Sequence, residues 1–148
     1  MSDIVPHVEI TRIVDATPAE LWPILSDVLR WPQWLPTVTA VTTDPAGGRP
    51  GTTRVGAAYR VTQPRLGTAS WEITDWRPDA GFTWVSRRPG VTTTGTHELR
   101  PVDGGTEVRL GIAWVGPLAG LTRALLGGMT RDYVTREAAA LAATVADR

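Results

Sequence analysis

Val108-Arg109-Leu110-Gly111-Ile112-Ala113-Trp114-Val115-Gly116-Pro117-Leu118-Ala119-Gly120-Leu121-Thr122-Arg123-Ala124-Leu125 carries the change of period on which the fold turns. Before Gly116 the apolar residues fall at every second position, so Val108, Leu110, Ile112 and Trp114 line one face of a strand. Gly116-Pro117 stops the sheet, because proline has no N–H to give to a ladder. Beyond it the spacing becomes three and four. Leu118, Leu121, Leu125, Met129, Tyr133, Leu141 and Val145 form the ridge of one long helix, with Glu137 its one charged member. Gly127-Gly128 lies inside that helix. Two interior glycines cost about 2 kcal/mol relative to alanine, so a kink or close packing is expected there.

Upstream, from Gly51 onward, turn signals recur at short intervals and no helical period appears. Val55, Ala57, Tyr59, Val61 and Gln63 share one strand face, and Pro64 to Gly67 turns the chain. Trp71 and Ile73 share a face of the next strand, which ends near Trp76 before the loop Pro78-Asp79-Ala80-Gly81. Phe82, Trp84 and Ser86 alternate with Thr83, Val85 and Arg87. After Pro89-Gly90, a strand from about Thr92 to Arg100 puts Thr93, Gly95, His97 and Leu99 on one side, and Asp103-Gly104-Gly105 is a tight turn.

The N-terminal third differs. His7 to Val14 is a first, imperfectly amphipathic strand. Thr17-Pro18-Ala19-Glu20 is a capping box with proline at the first helical position, and Leu21, Ile24, Leu25 and Val28 give the helix one buried face. Pro23 removes a donor inside the second turn and should kink or tighten it. Trp31-Pro32-Gln33-Trp34-Leu35-Pro36 reads as a short second helix or a packed turn, Val38 to Thr43 as a short strand, and Asp44 to Gly48 as a loop. The order is strand, two short helices, about six antiparallel strands and one long helix. That is an α+β chain, and residues 1–148 read as a single domain without repeat or linker.

Composition narrows the function. The 148 residues are 42% hydrophobic and 20% charged, and 15 basic residues balance 15 acidic ones. No overall field attracts nucleic acid or anionic lipid, and no nucleic-acid partner is expected. All the basic residues are arginine. There is no cysteine, which excludes thiolate nucleophiles and cysteine metal sites, and only two histidines, His7 and His97, stand far apart. No metal and no cofactor are expected. The N-terminal Met1 to Pro6 lacks the charged and apolar regions of a signal peptide, and no apolar run approaches the roughly 20 residues of a membrane span, so a cytoplasmic location without membrane insertion is expected. Seven tryptophans against one phenylalanine suit walls that combine flat apolar surface with a donor.

Ala16-Thr17-Pro18-Ala19-Glu20-Leu21-Trp22, Leu25-Ser26-Asp27, Trp31-Pro32-Gln33-Trp34, Val55-Gly56, Gln63-Pro64, the hairpin from Trp71 through Trp84, Gly105-Thr106-Glu107-Val108 and the terminal helix form a set of motifs along the chain. In these the chain resembles the START-like or SRPBCC superfamily, which includes polyketide cyclase/dehydrase-type and Bet v 1-type proteins. The resemblance covers nearly the whole chain and implies a helix-grip fold: a roughly seven-stranded curved antiparallel sheet around the C-terminal helix, with two short helices after strand 1. It also implies a pocket between the inward strand faces and that helix. These motifs are specific for the fold and nearly silent about chemistry.

Strand parity supplies the candidate site. His97 shares a face with Leu99 and can act as general acid or base in an apolar pocket; its bland reading is a buried histidine satisfied by one partner. Tyr59 and Gln63 share a face and can orient a ligand oxygen, Tyr59 within the catalytic set; the plainer role for Gln63 is to close its strand end. Trp71, Trp84 and Trp114 offer flat walls or plain core, Ser86 a donor at the rim, and Met129 and Tyr133 a wall on the long helix. Glu137 is expected to pair with an arginine of the sheet, and Trp34 and Leu35 are gate candidates. Arg87-Arg88 is either a carboxylate or phosphate site at a hairpin mouth or a solvated turn. Three functions follow: binding of a hydrophobic small molecule (lipid, aromatic or polyketide-like), a polyketide aromatase/cyclase/dehydratase using the same cavity, or a protein-interaction module. The sequence carries no signal for oligomeric state.

Overall fold

The computed structural model describes residues 5–47 and 54–148. The leader reading of Met1 to Ile4, and the loop and strand-start readings at Gly48 and Gly51, lie outside the described residues. The elements are β1 (Val8–Val14), α1 (Pro18–Ser26), a 3₁₀ helix (Val28–Gln33), β2 (Ala40–Thr43), β3 (Ala58–Gln63), β4 (Gly67–Arg77), β5 (Gly81–Arg88), β6 (Val91–Val102), β7 (Gly105–Val115) and α2 (Ala119–Ala146). The seven strands form one antiparallel sheet in the order β1-β7-β6-β5-β4-β3-β2. This is the helix-grip α+β fold. No described helix is long and apolar enough to cross a membrane.

Local chemistry explains the element ends. The Thr17 hydroxyl accepts from the Glu20 amide at 3.1 Å, the Glu20 carboxylate accepts from the Thr17 amide at 3.0 Å, and Pro18 occupies the first position of α1. Helix α1 carries Pro23 without breaking and buries Leu21, Ile24 and Leu25. The segment after it is the 3₁₀ helix, with Trp31 buried and its Nε1 donating to the Leu25 carbonyl at 3.0 Å. Gly81 opens β5 at φ +144°, and a Cβ there would lie 2.1 Å from the His97 carbonyl oxygen. Glycine is therefore required where β5 closes against β6. The register of β4 against β5 shifts between Ile73 and Asp75, a bulge that alternation alone does not reveal.

The core lies between the sheet, α1, the 3₁₀ helix and the C-terminal half of α2, where Val134, Ala138 and Leu141 are buried. The expected ridge of α2 is out of phase over its first half. Leu118, Leu121 and Leu125 are 46%, 57% and 72% exposed. The inward positions are instead Thr122, Leu126, Thr130 and Val134, one residue along and about 100° around the helix. The cause is that this half faces a hollow rather than packed side chains. Helix α2 also runs unbroken through Gly127-Gly128, and a Cβ on either glycine would meet nothing within 4 Å. The expectation of close packing there is corrected: both glycines face open space.

Candidate functional site

A cavity of about 330 Å³ lies between the sheet and the first two-thirds of α2. Its apolar wall includes Trp71, Val91, Ile112, Trp114, Leu126 and Val134. The polar groups facing it are Gln63, Arg88, Thr93, Thr122, Thr130, Tyr133 and Glu137. A few convergent polar groups in an apolar hollow of this size are the usual make-up of a small-molecule site. Strands β4, β6 and β7 supply alternate residues to one wall, with Gln63 of β3 and Arg88 of β5 at their strand ends, and α2 supplies the other at its i, i+4 spacing. The Tyr133 hydroxyl donates to the Pro64 carbonyl and ties α2 to the β3–β4 turn.

At one wall the cavity meets a packed aromatic cluster. His97 stacks on Phe82 with ring centres 4.2 Å apart, and Trp31 and Trp84 lie 5.7 and 5.5 Å from it. Its Nδ1 lies 3.2 Å from the Phe82 carbonyl oxygen, an acceptor, so that nitrogen carries the proton. Nε2 then presents a lone pair, and 3.5 Å from it is Glu137 Oε2. That separation is longer than a hydrogen bond, and Oε2 is buried without a hydrogen-bond partner. Burial acts on both groups in the same sense, against charge. It lowers the His97 pKa to about 4, opposed by the Phe82 hydrogen bond, and raises that of Glu137 to about 8. Near neutral pH the two residues therefore form an uncharged acid facing an uncharged base.

The sequence-derived candidates separate into three groups. Gln63, Trp71, Trp114 and Tyr133 line the cavity. His97 stands behind Glu137 and does not itself line it; direct contact falls to Glu137. Tyr59, Trp84, Ser86 and Met129 are elsewhere. Tyr59 is buried in the core, with its hydroxyl accepting from Arg54 Nη1 at 3.2 Å. Trp84 packs among Trp31, Phe82 and His97, and Trp71, tilted 32° to it with ring centres 5.3 Å apart, reaches the cavity in its place. Gly95 makes this possible: a Cβ there would come within 2.8 Å of Trp84 Nε1. Ser86 is buried on the same strand as Trp84, while Met129 lines a separate cleft with Pro36, Pro64 and Asp132. Leu35, read as a gate, is core.

Two pairings differ from expectation. Glu137 meets His97 rather than an arginine. Arg87 and Arg88 do not act together: Arg87 Nη1 bonds Glu72 at 3.1 Å, while Arg88 lines the cavity rim. The lining residues not foreseen include Leu66, Ala69 and Val91 on the sheet side and Thr122, Leu126, Thr130 and Val134 on α2, where the i, i+4 spacing of the four helix positions was the available signal. Among the described residues no three His, Asp or Glu side chains converge as a metal would require.

The sequence profile of a family described as polyketide cyclase / dehydrase and lipid transport matches residues 5–146. No curated protein matches the chain. Among solved structures it is similar to the Zhui aromatase/cyclase from Streptomyces sp. R1128, at 18% identity and a TM-score of 0.76 over 95% of this chain and 93% of that one. It is also similar to the protein TTHA0849 from Thermus thermophilus, at 20% identity and 0.72 over 95% and 97%. Ara h 8.0201 is similar at 14% identity and 0.66, again over 95% and 97%. At these identities the likeness is one of fold.

Proposed function

The chain belongs to the family described as polyketide cyclase / dehydrase and lipid transport, and from that premise we propose that its cavity binds a hydrophobic small molecule. The observation that carries this reading is an apolar hollow lined at one end by Glu137, a carboxyl that burial keeps uncharged near neutral pH. Burial of the ligand's apolar surface supplies affinity at about 25 cal/mol per Å². The neutral Glu137 side chain, which lines the hollow, then offers a hydrogen bond to a ligand carbonyl or hydroxyl oxygen. Gln63 and Tyr133 offer further polar contacts. The test is titration with Nile red, an uncharged apolar dye. One equivalent should enter the wild-type protein, and Ala69→Trp, which fills the hollow, should abolish uptake while leaving the far-UV circular dichroism unchanged. A wild-type protein that takes up no dye overturns the reading.

One observation favours a second reading, in which the cavity catalyses loss of water from a β-hydroxy ketone, as in a cyclase/dehydratase. Glu137 reaches the cavity as an acid, with a base 3.5 Å behind it. In that reaction Glu137 gives its proton to the leaving hydroxyl, and the carboxylate so formed takes the proton released from the carbon next to the carbonyl. His97 packs behind the carboxyl, its Nε2 3.5 Å from Oε2. Glu137→Gln, which keeps shape but cannot transfer a proton, should then retain binding and lose turnover. If turnover survives that substitution, the acid role fails and binding alone remains.

A further inference from the structure

Adjacent arginines at the end of β5 have different fates. Arg87 is neutralised by Glu72, N to O 3.1 Å. Arg88 turns to the cavity rim, where its Nη2 donates to the Thr68 carbonyl at 3.2 Å. Among the described residues no carboxylate comes within salt-bridge distance of Arg88. Glu137 is the single acidic residue among the described ones that line the cavity, and burial keeps it protonated at neutral pH. Arg88, which also reaches solvent, is the one cation among the described lining residues, and no ionised carboxylate lines the hollow beside it. The Thr68 contact uses one of the guanidinium's five donor hydrogens and steadies the group, leaving a fork of the kind that matches a carboxylate.

Position adds a length. Arg88 pairs with Val91 at the start of β6, whereas the residue that meets Glu137 is His97, further along the same strand. At about 3.3 Å per residue this is roughly 20 Å of strand. On α2 the lining residues likewise run from Thr122 to Glu137, also roughly 20 Å at 1.5 Å per residue. The charged rim and the uncharged acid mark the two ends of an elongated hollow with Trp71, Ile112, Trp114 and Leu126 between them.

We propose that the cavity selects an elongated apolar carboxylate, with its charged end on Arg88 and its chain directed toward Glu137. The proposal rests on the reading of the hollow as a small-molecule site and adds the class of ligand and the residue that distinguishes it. Decanoate and 1-decanol share a chain and differ in charge, so their displacement of Nile red separates the two terms. Wild type should bind decanoate roughly fivefold more tightly than decanol, an effect of the size expected for one exposed charge-assisted contact. The preference should shrink in 0.5 M salt. Arg88→Gln should abolish it while leaving decanol within about twofold, and Arg87→Gln should keep it. Equal affinity for the two compounds in wild type, or a preference that survives Arg88→Gln, overturns the carboxylate proposal and leaves the cavity reading standing. Failure of Nile red to enter wild type overturns the cavity reading, and this proposal with it.

Discussion

Glu137 and His97 show what a residue's surroundings decide that its identity does not. In the folded chain Glu137 keeps its proton up to about pH 8, whereas an exposed glutamate loses it near 4.5. His97 stays neutral down to about pH 4, against an ordinary 6.5. A carboxyl with a raised folded pKa contributes stability below its unfolded value, and loses it as pH rises toward the folded one. The depressed histidine acts oppositely, weakening the fold as pH falls from 6.5 toward 4. Between about 4.5 and 6.5 the two slopes oppose each other; from 6.5 to 8 only Glu137 acts. Urea unfolding should therefore show stability declining across pH 6.5–8, by at most about 1.4 kcal/mol per unit. Glu137→Gln should remove the decline and be more stable than wild type at pH 6.5, because the unfolded wild-type carboxyl is already ionised there. Alternation along β6 placed His97 on the inward face, but nothing in the sequence showed that residue 137 would meet it. The pair depends on the rotation of α2 against β6, a tertiary quantity that no spacing within either element encodes.

At the scale of the element, α2 is where spacing misled. Its leucines at 118, 121 and 125 continue the ridge of Tyr133 and Leu141 on paper, yet they face solvent. A helix wall over a hollow needs no large side chains, and Thr122 and Thr130 occupy the inward positions. The hydrophobic stripe marks burial only where something packs against it. The strands were easier to read, because a period of two leaves one choice of face and the neighbouring strands force it. Even there, β3 begins at Ala58 rather than Val55, since Gly56 at φ +93° belongs to a turn. The glycine pair gives a prediction for this element. With free space around both Cβ positions, Gly127→Ala and Gly128→Ala should each stabilise the protein by about 0.5–1 kcal/mol. Thermal denaturation of the single and double variants checks this.

For the molecule as a whole, the sheet order was accessible only through resemblance. Hairpins between neighbours follow from turn residues, but β1 joins β7 across almost the full chain, and no local signal predicts that pairing. One buried contact secures it: Thr106 Oγ1 donates to the Ala16 carbonyl at 2.6 Å, 90 residues away. Thr106→Val keeps the shape and leaves that carbonyl without its donor, which should cost about 1–3 kcal/mol in chemical denaturation. The grip of the sheet on α2 is also uneven, firm at Val134, Ala138 and Leu141 and absent over the turns beside the cavity. Amide protons over 122–131 should consequently exchange with deuterated solvent well before those over 134–143. A molecule lodged beneath the helix would slow the first set and leave the second unchanged, so the backbone itself becomes a sensor of occupancy that needs no knowledge of the guest.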